Sequence, residues 1–271
     1  MNQLTLTHIY IYPIKSLGGI SFQSAIVEER GLQYDRRWML VDKNGMFLTQ
    51  REYPQMALLQ VNIKDDKLVV THKTKSISNL EFPISDTQSP ITNILVNIWD
   101  DAVFAKNISK EIDEWFSDAV GVDCRLVAMN NDSNRLTDRK FTPEPKQVSF
   151  ADGYPFLIIG QESLNELNRR LKNPLPMDRF RPNFVFSGGE LFIEDTWTDF
   201  LIGKLKFTAV KPCARCVITT INQNTAEKGI EPLETLAKFR KAGNKVIFGM
   251  NLVVFGNGRL EVGDRIVPLD G

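Results

Sequence analysis

Histidine and cysteine are scarce in this chain. Its 271 residues include two histidines, His8 and His72. A serine–histidine triad or a multi-histidine zinc site would have to use one of them. His8 falls inside an apparent strand, residues 6–12, and His72 at the end of another, residues 68–71, and neither is near a nucleophile in sequence. Both read as structural or solvent-facing. Three cysteines are too few and too unevenly placed for a disulfide framework, so a reducing cytoplasm is expected. Charge of one sign is not in excess either, since Lys+Arg and Asp+Glu are 33 each. That weighs against a nucleic-acid polymer or an anionic membrane as partner, while leaving room for a local basic pocket. No apolar run approaches the roughly 18–20 residues of a membrane span. The opening stretch, residues 1–7, lacks the basic start and apolar core of a signal peptide.

What is present is an ordinary globular mixture, 42% hydrophobic and 24% charged, with enough apolar side chain for one large or two modest domains. The first third reads as β. Strand-like runs cover residues 4–12, 24–28, 37–42, 57–64, 67–71 and 96–98. Asp42-Lys43-Asn44-Gly45 predicts a tight turn with residues 46–50 returning as a strand, and Asp65-Asp66 a second hairpin. No helical period is seen before about residue 108. Ser109 then caps a predicted helix through Val120, with Ile112, Trp115, Phe116, Ala119 and Val120 on one face and Gly121 at its exit.

Residues 124–129 are strand-like, and the polar residues 130–146 form a predicted loop carrying the domain boundary. The second half mixes types. Strands are expected at 156–159, 184–186, around Gly203 within 197–207, at 246–255 and at 265–268. Helices are expected at 161–171 and 231–242, and Asn257-Gly258 signals a hairpin.

The chemistry concentrates at Lys211-Pro212-Cys213-Ala214-Arg215-Cys216, between a strand at 205–210 and an expected strand at 216–221. The CxxC spacing admits half of a zinc site, although no second CxxC exists. It admits a redox pair, although that motif usually feeds a helix rather than a strand. It also admits a single thiolate metal ligand beside a structural cysteine, or two inert cysteines.

Several motifs in order resolve the choice by resemblance. Pro212 to Thr220, Pro-Cys-x-Arg-Cys-x-x-Thr-Thr, resembles the signature of the MOSC domain, and most of all the molybdenum-cofactor enzymes related to the mitochondrial amidoxime-reducing component. Residues 231–240 and 260–266 are similar to that family as well. Tyr12-Pro13-Ile14-Lys15-Ser16 and Gly31 to Trp38 resemble motifs of the MOSC N-terminal β-barrel domain. Residues 150–156 and 179–183 match two more.

The resemblance implies an α+β, β-rich fold: an N-terminal β-barrel-like domain, residues 1–125, and a C-terminal MOSC β-barrel with flanking helices, residues 126–271. It implies a molybdenum cofactor in the cleft between them, with Cys216 as catalytic metal ligand and Cys213 as a neighbour. Lys15, Ser16, Arg36, Gly153, Tyr154, Arg181, Asn183, Ala214 and Arg215 are the implied cofactor contacts. The physics suits the role. A phosphate calls for lysine or arginine, pterin edges call for mixed donors and acceptors, and glycine admits close backbone approach. Asp152 is a candidate proton relay.

Two departures stand out. Ala214 replaces a serine of some relatives, and Gly153-Tyr154 replaces a pair of small hydroxyl residues. The implied activity is reduction of amidoximes, hydroxylamines and N-hydroxylated base analogues. Because no plant-type ferredoxin cysteine run precedes Gly271, electrons are expected from a separate ferredoxin-, flavodoxin- or cytochrome-type protein. A molybdenum-cofactor or sulfur carrier is the alternative.

Overall fold

The computed structural model describes residues 3–85 and 92–269, so the first two residues of the opening stretch lie outside it. The first half is built from short strands: β1 (Thr5–Ile11), β2 (Ile20–Phe22), β3 (Ser24–Glu28), β4 (Gly31–Leu32), β5 (Trp38–Val41), β6 (Leu59–Lys64), β7 (Lys67–His72), β8 (Leu80–Pro83), β9 (Thr92–Ile98) and β10 (Asp101–Asn107). Helix α1 (Lys110–Val120) and β11 (Arg125–Met129) follow. Two sheets belong to this half alone, β5-β11-β10-β9 and β6-β7-β8. The β6–β7 hairpin turns on Asp65 and Asp66 at φ 50° and 58°, as the Asp-Asp signal predicts. Helix α1 is capped by the Ser109 hydroxyl on the Ile112 N–H and ends in left-handed Gly121, a cap worth about 1 kcal/mol. Its buried face, Ile112, Phe116, Ala119 and Val120, packs on Ile14, Trp38, Leu40 and Leu59.

The second half supplies β12 (Phe156–Gly160), α2 (Gln161–Arg170), β13 (Phe184–Ser187), β14 (Asp199–Ile202), β15 (Leu205–Ala214), α3 (Leu233–Phe239), β16 (Lys241–Ala242), β17 (Lys245–Phe255), β18 (Gly258–Glu261) and β19 (Ile266–Pro268). Its main sheet has the order β19-β14-β15-β17-β12-β13-β1-β2. The first two strands of the chain therefore complete the sheet of the second half. A third link is β18 on β3, with Gly258 opposite Val27 and Glu261 opposite Ser24. The core under this sheet draws on both ends of the sequence, with Ile9, Ile11, Phe156, Phe184, Phe207 and Leu252 all buried together. Helices α2 and α3 cover the other face through Leu164, Leu167 and Leu236 around Phe180 and Phe248. The fold is β-rich α+β, as expected.

Several local expectations differ from the structure. Residues 217–220 form a 3-10 turn rather than a strand. Two threonines cause this: the Thr219 hydroxyl donates to the Cys216 carbonyl and Thr220 to Val217, competing with any ladder. The helix expected over 231–242 ends at Phe239, because Lys241 and Ala242 pair with Val246 and Lys245 around left-handed Gly243. The Asn257-Gly258 signal makes no hairpin with β17. The next strand leaves for β3 and buries Leu260. After the Asp42–Gly45 turn, the return strand is reduced to single bridges at Met46 and Phe47. Residues 54–58 make a 3-10 turn within the region expected to be wholly β. Strands β2, β8 and β10 lie outside the expected runs.

Candidate functional site

Segments that leave β1, enter β5, β12 and β13, and leave β15 converge on one cleft enclosing about 790 Å³, part of it open to solvent. Two register shifts bend β15, between Ala209 and Lys211 and between Pro212 and Ala214, and turn its last residues into the cleft. Gly249 on β17 permits this packing: its φ is 80°, and a Cβ there would meet Ile159 Cγ1 at 2.7 Å. Lys15, Ser16, Arg36, Gly153, Tyr154, Arg181, Asn183, Ala214, Arg215 and Cys216 all line the cleft, although two hundred residues separate the first from the last.

The cleft is cationic. Lys15 is buried and donates from Nζ to the Phe150 carbonyl at 2.8 Å and to Asp152 Oδ1 at 2.6 Å. Burial pushes its ammonium down to about 8, against the opposite pull of Asp152. Arg36 donates to Asp35 Oδ2 at 2.5 Å, to Asn183 Oδ1 at 3.1 Å and to the Arg181 carbonyl at 3.2 Å. Arg36 and Arg181 both lie against the Tyr12 ring, 4.4 and 4.2 Å from its centre. Burial lowers Arg181 to about 10 and raises the Tyr12 phenol, which stays neutral. The Asn183 amide is taken up by Arg36, Leu157 N–H and the Tyr10 carbonyl, so it positions Arg36. Ser16, Arg36 and Arg181 hold left-handed backbone, with φ of 67°, 49° and 54°.

The two cysteines have different surroundings. Cys213 Sγ accepts from Arg215 Nη1 at 3.0 Å, and Arg215 Nη2 is fixed on the Phe180 carbonyl at 2.6 Å. Cys216 precedes the 3-10 turn and is half-buried; Arg179, itself buried, holds that turn through the Thr219 and Thr220 carbonyls at 3.1 and 3.5 Å. Cys216 Sγ accepts from Arg51 Nε at 3.4 Å. Arg51 also reaches Asp152 Oδ2 at 3.4 Å and lies 4.5 Å from the Trp99 ring centre. Trp99 Nε1 donates to Asp152 Oδ1 at 3.3 Å. Burial alone would raise the Asp152 carboxyl, but Lys15 and Arg51 outweigh it and hold the group well below the usual carboxylate range. Cys124 is remote from the cleft; burial raises its thiol to about 11.

Arg51 and Trp99 escape sequence reasoning. Nothing in the spacing of Thr49-Gln50-Arg51 marks the arginine. A large aromatic at the tip of the β9–β10 hairpin, with φ of 55°, is the one local signal for Trp99. Gln50 is likewise hidden. Its amide donates to the Ser16 carbonyl at 2.6 Å and accepts from Gln223 at 2.9 Å, tying the two halves together behind the site.

Residues 3–123 match the MOSC N-terminal beta barrel domain, and residues 145–267 match the MOSC domain. Mitochondrial amidoxime-reducing component 1 of Mus musculus is 31% identical over an alignment covering 98% of this chain and 82% of that protein. The chain belongs to the MOSC family. A second MOSC relative, molybdenum cofactor sulfurase of Oryza sativa, is 30% identical across 99% of this chain, which spans 36% of that longer protein. Among solved structures, the YUAD protein of Bacillus subtilis aligns over 97% of this chain and 94% of its own, at 10% identity and a TM-score of 0.41.

The residues of the cleft can be tested for fit to the molybdenum cofactor that the sulfurase's name carries. Arg181 Nη2, Arg215 Nε and the Tyr154 hydroxyl are enclosed without a hydrogen-bond partner among the described residues. Lys15, Arg36, Arg181 and Arg215 line the cleft, and a cationic cleft suits an anionic, acceptor-rich group. A Cβ on Gly153 would project into open space, so the chain leaves room there. No cluster of three or more metal-ligating side chains occurs among the described residues. A single soft thiolate, Cys216, suits a metal that arrives with further sulfur ligands.

Proposed function

We propose that this MOSC chain is a molybdenum-cofactor-dependent reductase of N-hydroxylated compounds. The observation that carries the reading is one cleft uniting the Cys216 sulfur with the cationic side chains of Lys15, Arg36, Arg181 and Arg215. Lys15, Arg36 and Arg181 would hold the cofactor's phosphate. Ser16, Tyr154 and the Arg215 Nε would meet the heterocycle, and Ala214 and Gly153 would line it through the main chain. Cys216 would be the protein's ligand to molybdenum. When bound, the cofactor supplies the two-electron chemistry and the remaining sulfur ligands.

The chain's own residues set the electrostatics. Asp152 serves better as an anchor than as a relay, because its carboxyl is held ionised by Lys15 and Arg51. Lys15 Nζ is fixed on the Phe150 carbonyl and Asp152, which aims its ammonium as a charged anchor for the phosphate. Arg51 keeps the Cys216 sulfur in place from the open side.

Molybdenum analysis with a benzamidoxime assay, driven by a chemically reduced dye, tests the proposal. Near-stoichiometric metal and turnover are expected, with both lost in Cys216→Ala. Full turnover in that variant would sink the assignment. The second reading, a cofactor or sulfur carrier, has support from the sulfurase similarity along the whole chain. It predicts transfer of cofactor to an apo-enzyme with no turnover of benzamidoxime.

A further inference from the structure

The reductase reading consumes two electrons per turnover, supplied from outside the side chains of the cleft. The strand that brings Cys213 to that cleft carries, just before it, a feature the cofactor contacts do not use. Lys211, two positions before Cys213, places Nζ 4.0 Å from the centre of the Phe141 ring. Lys140 places its Nζ 5.4 Å from the same ring. Lys245 opens β17 beside Val246, whose carbonyl accepts the Arg215 N–H at 2.8 Å, so it flanks the segment between the two cysteines. Lys140 and Lys245 are exposed and Lys211 is half-buried.

The three form one electrostatic group. Burial, then Lys245 and Lys140, depress the Lys211 ammonium, with Asp138 the one carboxylate opposing them. None of the three makes an ion pair among the described residues, and Asp138 is the one carboxylate acting on Lys211. Three ammonium groups against one carboxylate repel one another, and a facing patch of carboxylates converts that repulsion into attraction. The patch is small, and the chain's formal net charge is zero, so it fits a compact acidic protein better than a nucleic acid or a membrane.

We infer that the Lys140–Lys211–Lys245 rim, with Phe141 at its centre, is the docking surface for an acidic electron-carrier protein. The inference rests on the reductase reading for its purpose and on the lysine cluster for its place. A carrier seated there lies against the end of β15, which carries Cys213 and leads on to Cys216. Phe141 supplies the apolar contact that a charged rim surrounds in ordinary interfaces.

The test compares the holoprotein with the triple variant K140E/K211E/K245E. Plant-type [2Fe–2S] ferredoxin and flavodoxin serve as acidic carriers, and reduced methyl viologen as a small cation that needs no docking surface. At low salt the triple variant should raise the KM for the carriers by about tenfold and flatten its salt dependence, while viologen-driven reduction of benzamidoxime changes by less than about twofold. The variant K140Q/K211Q/K245Q should fall between. Unchanged KM for both carriers would overturn the docking surface. So would a parallel fall of the viologen-driven rate, which would make the lysines supports of the cleft. Absence of viologen-driven turnover in the wild type would instead sink the reductase reading. Calorimetric titration with the same carriers then decides the surface: binding to the wild type and loss in the triple variant supports it, and no binding to the wild type overturns it.

Discussion

Cys213 and Cys216 stand three positions apart, and each sulfur accepts a hydrogen bond from an arginine. The two arrangements differ in where the arginine comes from. Arg215 is local to Cys213 and is anchored on the Phe180 carbonyl. Arg51 reaches Cys216 from the other half of the chain, and it is gripped by Asp152 and Trp99. Cys213 sits in the last residues of β15, with its arginine two positions further on. Around Cys216 the structure is a convergence of distant segments, the form expected where a sulfur has to be aimed. Two cysteines close in sequence can have unequal surroundings, and the difference is seen only in tertiary contacts.

This contrast can be broken or sharpened by experiment. Cys216→Ala should lower molybdenum content and benzamidoxime turnover by more than about a hundredfold, beyond the range of an outer partner. Arg51→Ala should cost about 10–100-fold in cofactor retention, read by metal analysis after gel filtration, with the fold intact by circular dichroism. An effect of Arg51→Ala below the effect at Cys213 would reverse the contrast. Lys15 gives a pH signature. Its pKa is lowered from 10.5 to about 8 on folding, so the unfolded chain binds more protons between those values and native stability rises with pH there. Relative to Lys15→Met, the wild type should gain at most about 1.4 kcal/mol per pH unit over that window, measured by urea unfolding. Cys213→Ala should change turnover by about twofold, the scale of a surface substitution. A loss there equal to that at Cys216 would favour a thiol–disulfide protein.

How much of this was legible in the sequence follows from the range of each interaction. Helix α1 was readable because its cap, stripe and exit are all local. The ten cleft residues were readable through motif resemblance, and the cleft gathers them all. The 3-10 turn after Cys216 was not, because a run of β-branched residues reads as strand until the two threonine hydroxyls are seen bonding back to the main chain. Arg51 and Gln50 were not, because the contacts that bring them to the site, with Cys216 and Gln223, span more than 160 positions. The place of β1 and β2 was also hidden. A period-two pattern marks a strand without naming its sheet, and here the chain's first strands finish the last half's sheet.

The left-handed backbone at Ser16, Arg36 and Arg181 has a wider consequence. Each non-glycine residue there carries a steric penalty of about 1–2 kcal/mol that glycine would remove. A lineage selected only for heat resistance would drift toward glycine at these three places. Phe192 and Ala226 hold the same backbone outside the cleft, so the pattern to search for in a distant sequence is the left-handed residue that also lines the cleft.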